Sequence, residues 1–519
     1  MAKYFNTAGL CRPEKHYMVD PYRGLKGELM NLIRDEHYFV IHAPRQTGKT
    51  TLLHTLARQL NQVGEYIAVA FSVEQGGVRS FSESKVNDRI VRALYSSSNM
   101  FVEPDYMPPH PDEKEFGSLY EYLELWVQRQ SKPIVLLMDE VDSLYDDTLV
   151  SLLRQLRDGF QHRPKGFPAA IALVGLRDIR DYKLKVRPES GSLGTGSPFN
   201  IKAESIMIKS FELQHVRDLL QQHTDETGQQ FETAVVERIF QMTAGQPWLT
   251  NAIANQIVRK MLLNDYKPLI TLEMVEEAKE QLIQRRDTHL DSLIDKLSEP
   301  KVKTVVAAIL SGDVLGFDTY DEGIRYCYDL GIVAIREGEV RFANEIYQEI
   351  IPRVLNYNMQ VSISKDYGDR QWYVRANGSL DMDKLLKAFQ RFYRRHSEHW
   401  IDRFDYQEAG HQLLMMAFLQ RVINGGGSID REMAVGRGRS DLVIKWQGEC
   451  FVLELKLKHL SDSREEGLEQ LARYLDSLGE KHGYLILFEK KTSTKVPWEA
   501  RIAWSEEVQE GKNITVVEM

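Results

Sequence analysis

The chain has 519 residues, of which 43% are hydrophobic and 27% are charged, and its formal net charge is −9. This composition is ordinary for a globular protein. The length predicts three or four domains, because a single core rarely serves more than about 200 residues. The negative charge excludes a uniformly basic nucleic-acid coat, so any nucleic-acid surface must be local.

The cysteines and the apolar runs bear on the cellular compartment. Cys11, Cys327 and Cys450 are widely spaced and form no CxxC pair. We therefore expect neither a structural zinc site nor a disulfide framework, and a reducing cytoplasm fits this usage. The N-terminal sequence has no apolar run of signal-peptide type, and no stretch of about 18 apolar residues predicts a membrane span. We expect a cytoplasmic protein without a membrane partner.

A phosphate-binding loop is predicted near the start of the chain. The apolar run HYFVIH, residues 37–42, is followed by APRQTGKTT and then by leucines at helical spacing. Strand, loop and helix in this order are the context of a Walker A motif. Gly48 lets the backbone approach the phosphates, Lys49 reaches the β- and γ-phosphates of ATP, and the Thr50 hydroxyl binds Mg²⁺. Ala43 replaces the usual first glycine, at little cost if its φ is negative. The motif predicts these nucleotide-binding residues: Ala43, Pro44, Arg45, Gln46, Thr47, Gly48, Lys49, Thr50 and Thr51.

An acidic pair follows a later apolar run. Residues 133–138 read PIVLLM, which suits a strand buried on both faces, and Asp139 and Glu140 come directly after it. In a Walker B element the aspartate helps to hold Mg²⁺ and the glutamate activates the attacking water. Asp139 is therefore a predicted metal and nucleotide residue, and Glu140 is a catalytic candidate.

With these elements the chain resembles the STAND and archaeal-ATPase branch of the AAA+ superfamily. In that branch a strand-end arginine senses the γ-phosphate, and Arg177 in AAIALVGLRD matches its position. Arg180 and Arg187 are weaker candidates for a residue that acts on a neighbouring subunit. The same families carry a Gly-x-Pro turn in a helical lid, with the proline near the nucleotide base. Gly245 and Pro247 in TAGQPW match this turn. The resemblance implies an α/β core over residues 1–202, a lid over residues 203–292 and self-association.

Residues 293–357 are predicted to form a winged-helix-like domain. Two helical segments, KVKTVVAAIL and DEGIRYCYDLG, precede the hairpin-like VAIREGEVRFAN. Asp318, Asp321 and Glu322 lie where a recognition helix would begin, and carboxylates there repel phosphates. We therefore favour a packing or oligomerisation role over DNA recognition for this domain.

A hairpin near the C-terminus brings acidic residues together. DLVIKW and FVLELKLK read as strands, and Gln447 and Gly448 supply the turn between them. If these two are the central turn residues, the antiparallel register places Asp441 opposite Glu454. Facing residues have Cβ atoms about 4.5–5.5 Å apart, and two carboxylates that close favour a bound cation. Lys456 projects from the same face as Glu454. Oxygen ligands suit Mg²⁺ or Mn²⁺, and the ammonium would orient the attacking water.

This arrangement resembles the PD-(D/E)xK nuclease superfamily. Asp441 and Glu454-Leu455-Lys456 match its signature, although Ser440 stands where the name has proline. The resemblance implies metal binding by Asp441, Glu454 and Leu455. Many members have an acid on an upstream helix and a glutamine on the following helix, positions that Glu408 and Gln470 match. The implied domain covers residues 401–519, with catalytic candidates Glu408, Asp441, Glu454, Lys456 and Gln470.

Two further segments carry arginines. Arg437 and Arg439 lie next to the predicted metal site. Residues 384–400, at the end of a predicted linker region over residues 358–400, mix arginines with aromatic residues. Such a helix can bind phosphates and bases, or it can pack its apolar face inward. We favour the packing interpretation, in which Leu385, Phe389 and Phe392 face a core.

The predicted fold class is α/β, with a P-loop AAA+-type core, helical lid and winged helix followed by an α/β nuclease-like domain. The predicted function is an ATP-dependent and Mg²⁺-dependent ATPase that regulates a nuclease acting on DNA, with a possible setting in defence against foreign DNA. The alternative is a nucleotide-dependent switch or scaffold whose nuclease fold only binds. A DNA-remodelling motor without cleavage is disfavoured, because no helicase motif accompanies the Walker elements.

Overall fold

The computed structural model describes residues 2–112, 117–177, 202–285, 288–310, 315–318, 321–355, 372–403, 410–424, 428–433, 440–458, 463–489 and 502–519. They form two compact units. The first comprises Met1–His289 together with Asp329–Gly331, and the second comprises Leu290–Tyr328 and Ile332–Met519. Of the helices in these ranges, none is both long enough and apolar enough to cross a membrane.

Within the described residues, the first unit contains a five-stranded parallel sheet. Its strands are β1 (Tyr38–His42), β2 (Ile67–Ser72), β3 (Ile134–Asp139), β4 (Ala170–Gly175) and β5 (Lys202–Met207). Their order across the sheet is β2-β3-β4-β1-β5. The strand β1 lies between β4 and β5. After β1 the chain therefore continues with β2 at one edge of the sheet and returns through β3 and β4 to a position next to β1.

Helices cover both faces of this sheet, because successive strand residues point to opposite sides. Tyr38 and Val40 pack into one apolar cluster, and Phe39 and Ile41 pack into the other. The helices connected to these strands are α1 (Lys26–Arg34), α2 (Lys49–Val63), α3 (Glu83–Ser98), α4 (Leu119–Gln128) and α5 (Asp146–Gly159). The continuous apolar strands are therefore buried on both faces, as parallel strands require.

A helical segment follows β5 in the first unit. Its helices are α6 (Leu213–Thr227), α7 (Val235–Thr243), α8 (Pro247–Asn255) and α9 (Leu272–Arg285), with a π-helical turn at Gln256–Met261. The N-terminal residues are bound to this segment. The amide of Lys3 donates to Glu226, the Trp248 indole donates to the carbonyl of Thr7, and Gln222 exchanges two hydrogen bonds with the backbone of Met18.

The second unit begins with helices and a hairpin. Its elements are α10 (Thr288–Lys296), α11 (Pro300–Leu310), α12 (Glu322–Asp329), β6 (Val333–Arg336), β7 (Glu339–Phe342) and α13 (Glu345–Leu355). The first two residues of α10 and the last residue of α12, Asp329, belong to the first unit. The strands β6 and β7 pair antiparallel, as the hairpin-like sequence predicts. Glu322, which we place at the start of a recognition helix, is the first residue of α12 and binds Lys301.

Six strands form a sheet in the described C-terminal part of the second unit. The elements are α14 (Met382–Arg403), α15 (Gly410–Asn424), β8 (Ser428–Met433), β9 (Ser440–Trp446), β10 (Glu449–Lys458), α16 (Ser463–Leu478), β11 (His482–Glu489), β12 (Ala503–Gln509) and β13 (Lys512–Glu518). The strand order is β12-β13-β11-β10-β9-β8, with β10, β11 and β13 parallel to one another. In α14, Leu385, Phe389 and Phe392 are buried, which supports the packing interpretation of this helix.

The predicted hairpin register is confirmed. Glu449 pairs with Trp446, and the ladder continues to the pair Leu453 and Leu442. Gln447 and Gly448 both have positive φ, the conformation of a two-residue turn between twisted strands. Asp441 and Glu454 are the residues next to Leu442 and Leu453 in the two strands, so this register continued by one position places them opposite each other.

Candidate functional site

The phosphate loop joins the end of β1 to the start of α2. The φ of Ala43 is not positive, so alanine replaces the usual glycine without backbone strain. Positive φ occurs instead at Gln46 and Gly48, at 57° and 93°. Lys49 is the first residue of α2, and the first N–H groups of that helix therefore face the loop. A helix N-terminus that follows a strand and a tight loop is a favourable site for phosphate.

Lys49, Thr50 and Asp139 meet beside this loop. The Lys49 ammonium donates to the carbonyl oxygens of Ala43 at 2.8 Å and Pro44 at 2.9 Å. The Thr50 hydroxyl donates to Asp139 Oδ2 at 2.7 Å. Burial lowers the pKa of Lys49, while burial raises the pKa of Asp139 against the effect of the Thr50 hydrogen bond. A hydroxyl and a carboxylate oxygen this close fit Mg²⁺, which prefers such ligands.

Glu140 follows Asp139 in a left-handed conformation, with φ at 59°. Its amide donates to Asp139 Oδ1 at 2.9 Å, and its carboxylate accepts a hydrogen bond from the Ser72 hydroxyl. The charge of Glu140 raises the pKa of the neighbouring Glu74 carboxyl. The side chain is exposed at the carboxyl end of β3, where a carboxylate can reach a water molecule.

Arg177 lies two residues beyond β4, as the sequence predicts, and its partner is Asp329. The Arg177 Nε atom is 3.2 Å from Asp329 Oδ2, and the two side chains are only 16% and 10% exposed. Two residues further along, Gly331 approaches the phosphate loop so closely that a Cβ there would lie 2.7 Å from Pro44 Cγ. Arg180 and Arg187 lie outside the described residues.

The predicted lid turn lies against the same loop. The Gln246 amide group is 3.5 Å from the carbonyl oxygen of Arg45, and Pro247 is the first residue of α8. On the other side of the loop, the Thr51 hydroxyl accepts a hydrogen bond of 3.3 Å from the amide of Cys11. The loop therefore contacts both the predicted lid turn and the N-terminal segment within the first unit.

A second group of charged residues lies in the C-terminal sheet. Lys456 Nζ is 2.8 Å from Glu454 Oε1, and the two side chains are 6% and 1% exposed. The same ammonium, on β10, donates to Gln470 Oε1 of α16 at 2.6 Å. Leu455 is buried between these two positions of the strand. The structure thus brings together Glu454, Lys456 and Gln470.

The remaining predicted residues of this second group are less completely described. Asp441 is placed by its backbone, which pairs with Glu432 of β8. Glu408, Arg437 and Arg439 lie outside the described residues. Among the residues that the structure describes, no cluster of three or more histidine, cysteine or acidic side chains forms a metal site.

Three residues near the phosphate loop were not predicted. Arg23 donates to the carbonyl oxygen of Thr47, Asp329 binds Arg177, and Asp142 is half-buried near Lys49, with a carboxyl pKa that desolvation raises. Asp142 could have been suspected from the sequence DEVD, since it lies two residues after Glu140. Arg23 and Asp329 carry no such local signal, because they reach the loop only through the tertiary fold.

Known proteins share features with this chain. The family model described as an AAA-like domain matches residues 28–351. Among solved structures, the Walker-type ATPase Paby2304 of Pyrococcus abyssi is similar at 13% identity and a TM-score of 0.47, over 67% of this chain and 99% of that one. The RuvB Holliday junction branch migration motor of Thermotoga maritima is similar at 14% identity and a TM-score of 0.34, over 64% of this chain and 94% of that one.

The Orc1 protein of Aeropyrum pernix, solved in complex with DNA, is similar at 15% identity and a TM-score of 0.34, over 66% of this chain and 94% of that one. No argument about function rests on similarities of this size. Among curated proteins, none matches the sequence. The family match spans more than half of the chain and includes both Walker elements, so the chain belongs to the AAA-like domain family and is a P-loop ATPase.

Proposed function

We propose that this protein binds and hydrolyses ATP, and that its nucleotide state regulates a metal-dependent nuclease in the second unit that acts on DNA. For the ATPase, the supporting observation is the contact between Thr50 and Asp139 at 2.7 Å, directly beside Lys49. This contact joins the two Walker elements at the carboxyl ends of β1 and β3, where open α/β sheets bind their ligands.

Each residue of the ATP site has a separate task. The N–H groups of the loop and of the α2 N-terminus bind the phosphates, and Lys49 neutralises charge on the β- and γ-phosphates. Thr50 and Asp139 would hold Mg²⁺, which supplies charge neutralisation at the phosphates. Glu140 would accept a proton from the attacking water, and Arg177 would bind the γ-phosphate. Pro247 would lie near the base, as in the families that the chain resembles.

The Arg177–Asp329 ion pair leads to a prediction about nucleotide discrimination. Asp329→Asn is expected to tighten binding of a non-hydrolysable ATP analogue about threefold to tenfold, because the carboxylate no longer competes with the γ-phosphate for Arg177. ADP has no γ-phosphate, so its affinity should stay unchanged. Calorimetric titration of both nucleotides measures the difference. Asp35→Asn, at an exposed position after α1, is the matched control. An equal shift for both nucleotides would contradict the prediction.

For the nuclease, the supporting observation is that Lys456 contacts both Glu454 and Gln470 in a nearly closed environment. Burying a carboxylate and an ammonium is unfavourable unless their geometry is good, and apolar residues often stabilise a fold as well or better. A functional role explains why charged residues stand at these positions of β10. Asp441, Glu454 and Leu455 would hold Mg²⁺ or Mn²⁺, with Glu408 as a further acid.

Cleavage assays with Lys456→Ala test this nuclease. The purified full-length protein is incubated with plasmid, linear double-stranded DNA, single-stranded DNA and RNA, with Mg²⁺ or Mn²⁺, with and without ATP. We expect cleavage of DNA, reduced at least about a hundredfold in Lys456→Ala, because the ammonium stabilises developing charge. Lys445→Ala, on the exposed side of the adjacent strand β9, is the matched control and should cleave normally. A parallel Lys49→Ala sample shows whether ATP controls cleavage.

The second candidate function is a nucleotide-dependent switch or scaffold. The buried Glu454–Lys456 ion pair is compatible with this alternative, because two charged side chains that bind each other can stabilise the sheet without binding a metal or substrate. Absence of cleavage on every substrate, with ATP hydrolysis intact, would establish this alternative. If cleavage occurs, phage restriction by cells that carry the wild-type or the Lys49→Ala and Lys456→Ala double variant tests a defence role.

Self-association and the winged-helix-like segment complete the proposal. The helices α11 and α12 with the β6–β7 hairpin have the element order of a winged helix. Glu322 is bound to Lys301 at the start of α12, and an acidic helix start disfavours phosphate contacts. We therefore assign this segment to packing or oligomerisation.

A further inference from the structure

Arg23 lies behind the phosphate loop, on the carbonyl side of the peptide that joins Thr47 to Gly48. Its Nη2 atom donates to the carbonyl oxygen of Thr47, and its Nη1 atom donates to the carbonyl oxygen of Lys209 at 2.6 Å. A Cβ on Gly48 would lie 3.1 Å from Nη2, so the loop backbone and the guanidinium are in close contact. Both acceptors are neutral backbone oxygens, and the carboxylate of Asp20 attracts the arginine electrostatically.

The orientation of this peptide matters for phosphate binding. A trans peptide points its carbonyl oxygen and its following N–H in opposite directions. Because Arg23 binds the Thr47 oxygen, the N–H of Gly48 points away from the guanidinium, and we infer that it faces the inner side of the loop. The inner N–H groups of such loops are the ones that surround the α- and β-phosphates. Gly48 has a φ of 93°, and glycine populates many backbone conformations with similar ease. An external contact is therefore needed to fix the orientation of this peptide.

The same arginine also connects the loop to the lid turn. The guanidinium lies 5.4 Å from the centre of the Phe211 ring. The Phe211 amide donates to the carbonyl oxygen of Gly245 at 2.8 Å. Gly245 approaches so closely that a Cβ there would lie 1.9 Å from the Phe211 oxygen, which only glycine permits. The contacts therefore run without interruption from Thr47 through Arg23 and Phe211 to the turn before α8.

Burial makes this position costly for a cation. The pKa of Arg23 is lowered to about 10 by burial, and its Nε atom is buried without a hydrogen-bond partner among the described residues. Its backbone adopts a positive φ of 46°, which is uncommon for a residue with a side chain. Residues that accept desolvation and backbone strain together are concentrated at functional sites.

We propose that Arg23 is a positioning residue that holds the Thr47–Gly48 peptide in its phosphate-binding orientation and links this orientation to the lid turn at Gly245. It contacts no substrate atom and acts through the loop backbone. The inference rests on nucleotide binding at the phosphate loop. The two can fail separately, because wild-type protein that binds no ADP refutes nucleotide binding, whereas the variants below test Arg23 alone.

The test compares AMP, ADP and ATP. Their dissociation constants are measured by competition against a fluorescent ADP analogue for wild type, Arg23→Ala and Arg23→Lys. In Arg23→Ala we expect the ratio of the AMP constant to the ADP constant to fall about tenfold or more, because the lost contact with a charged donor weakens β-phosphate binding. The dissociation constant of ATP should increase in parallel with that of ADP. Lysine reaches one carbonyl oxygen rather than two, so Arg23→Lys should give an intermediate ratio.

A purely structural role gives a different pattern. If Arg23 only stabilises the fold, Arg23→Ala should weaken the binding of all three nucleotides equally and leave the ratio of the AMP to the ADP constant unchanged. The unfolding midpoint of the nucleotide-free protein should then be lower. This outcome overturns the proposal. Arg34→Ala, at an exposed position in the last turn of α1, is the matched control and should change neither quantity. If Arg23→Ala does not fold, Phe211→Leu removes the ring beside the guanidinium. It should lower the same ratio by a smaller factor, and an unchanged ratio refutes the link.

Discussion

Lys49→Ala is expected to reduce ATP hydrolysis about a thousandfold, because it removes the ammonium that stabilises charge on the transferred phosphate. In the structure this ammonium lies inside the loop, bound to the carbonyl oxygens of Ala43 and Pro44. Burial already lowers its pKa, so the phosphates of ATP supply the negative charge that favours its protonated form. ATP affinity should fall together with the rate. Steady-state phosphate release and fluorescent nucleotide titration measure the two effects.

A matched lysine separates this effect from a general loss of charge. Lys85 is exposed near the start of α3, and Lys85→Ala should hydrolyse ATP at the wild-type rate. The unfolding midpoint of Lys49→Ala should be at least that of wild type, since a buried cation is removed. Hydrolysis that persists at more than a tenth of the wild-type rate would show that the loop is not the catalytic phosphate site.

Glu140→Gln is expected to reduce hydrolysis by a similar factor, about a thousandfold, and to leave ATP binding intact. Glutamine keeps the shape of the side chain and can still accept a hydrogen bond from the Ser72 hydroxyl, but it cannot take a proton from water. The variant should therefore retain ATP without turnover. Nucleotide recovered from the purified protein, identified by chromatography, distinguishes bound ATP from bound ADP.

The neighbouring Glu74 provides the control for this second variant. Glu74 lies close enough to Glu140 for the charge of Glu140 to raise its pKa, so Glu74→Gln changes the local charge by the same amount. We expect only a small change in rate for Glu74→Gln. Equal losses in the two variants would indicate that the negative charge of the region, rather than a base at Glu140, supports hydrolysis.

Local sequence patterns predict most of the ATP site. The strand, loop and helix around Gly48 and Lys49 are contiguous, and the apolar run before Asp139 identifies a buried strand. The hairpin at Gln447 and Gly448 is predicted to the residue, because its turn is short and alternation fixes the faces of both strands. In these cases each prediction depends on residues within about a dozen positions of one another.

Contacts between distant segments are not predictable in this way. Arg177 is correctly located after β4, but its partner Asp329 lies 152 positions away. Arg23 precedes Thr47 by 24 positions and reaches it only through the tertiary fold, in which residues of the N-terminal segment contact α2. The contact of Lys456 with Gln470 is intermediate in predictability, because a helix that directly follows a strand packs on the same sheet. Contacts of this kind, which depend on how distant segments are arranged in the fold, can be identified only from the structure.

The attachment of Lys3 and Thr7 to helices α6 and α8 also has a consequence for the order of folding. Thr7 and Lys3 bind residues 241 and 223 positions further along, whereas all five strands of the sheet lie within residues 38–207. Ribosomes release a chain in the direction from N- to C-terminus, so Lys3 and Thr7 emerge well before α6 and α8 and must wait for them. Closing so large a loop is entropically unfavourable until its ends can bind. Lys3 and Thr7 are therefore among the last residues of this unit to reach their native contacts.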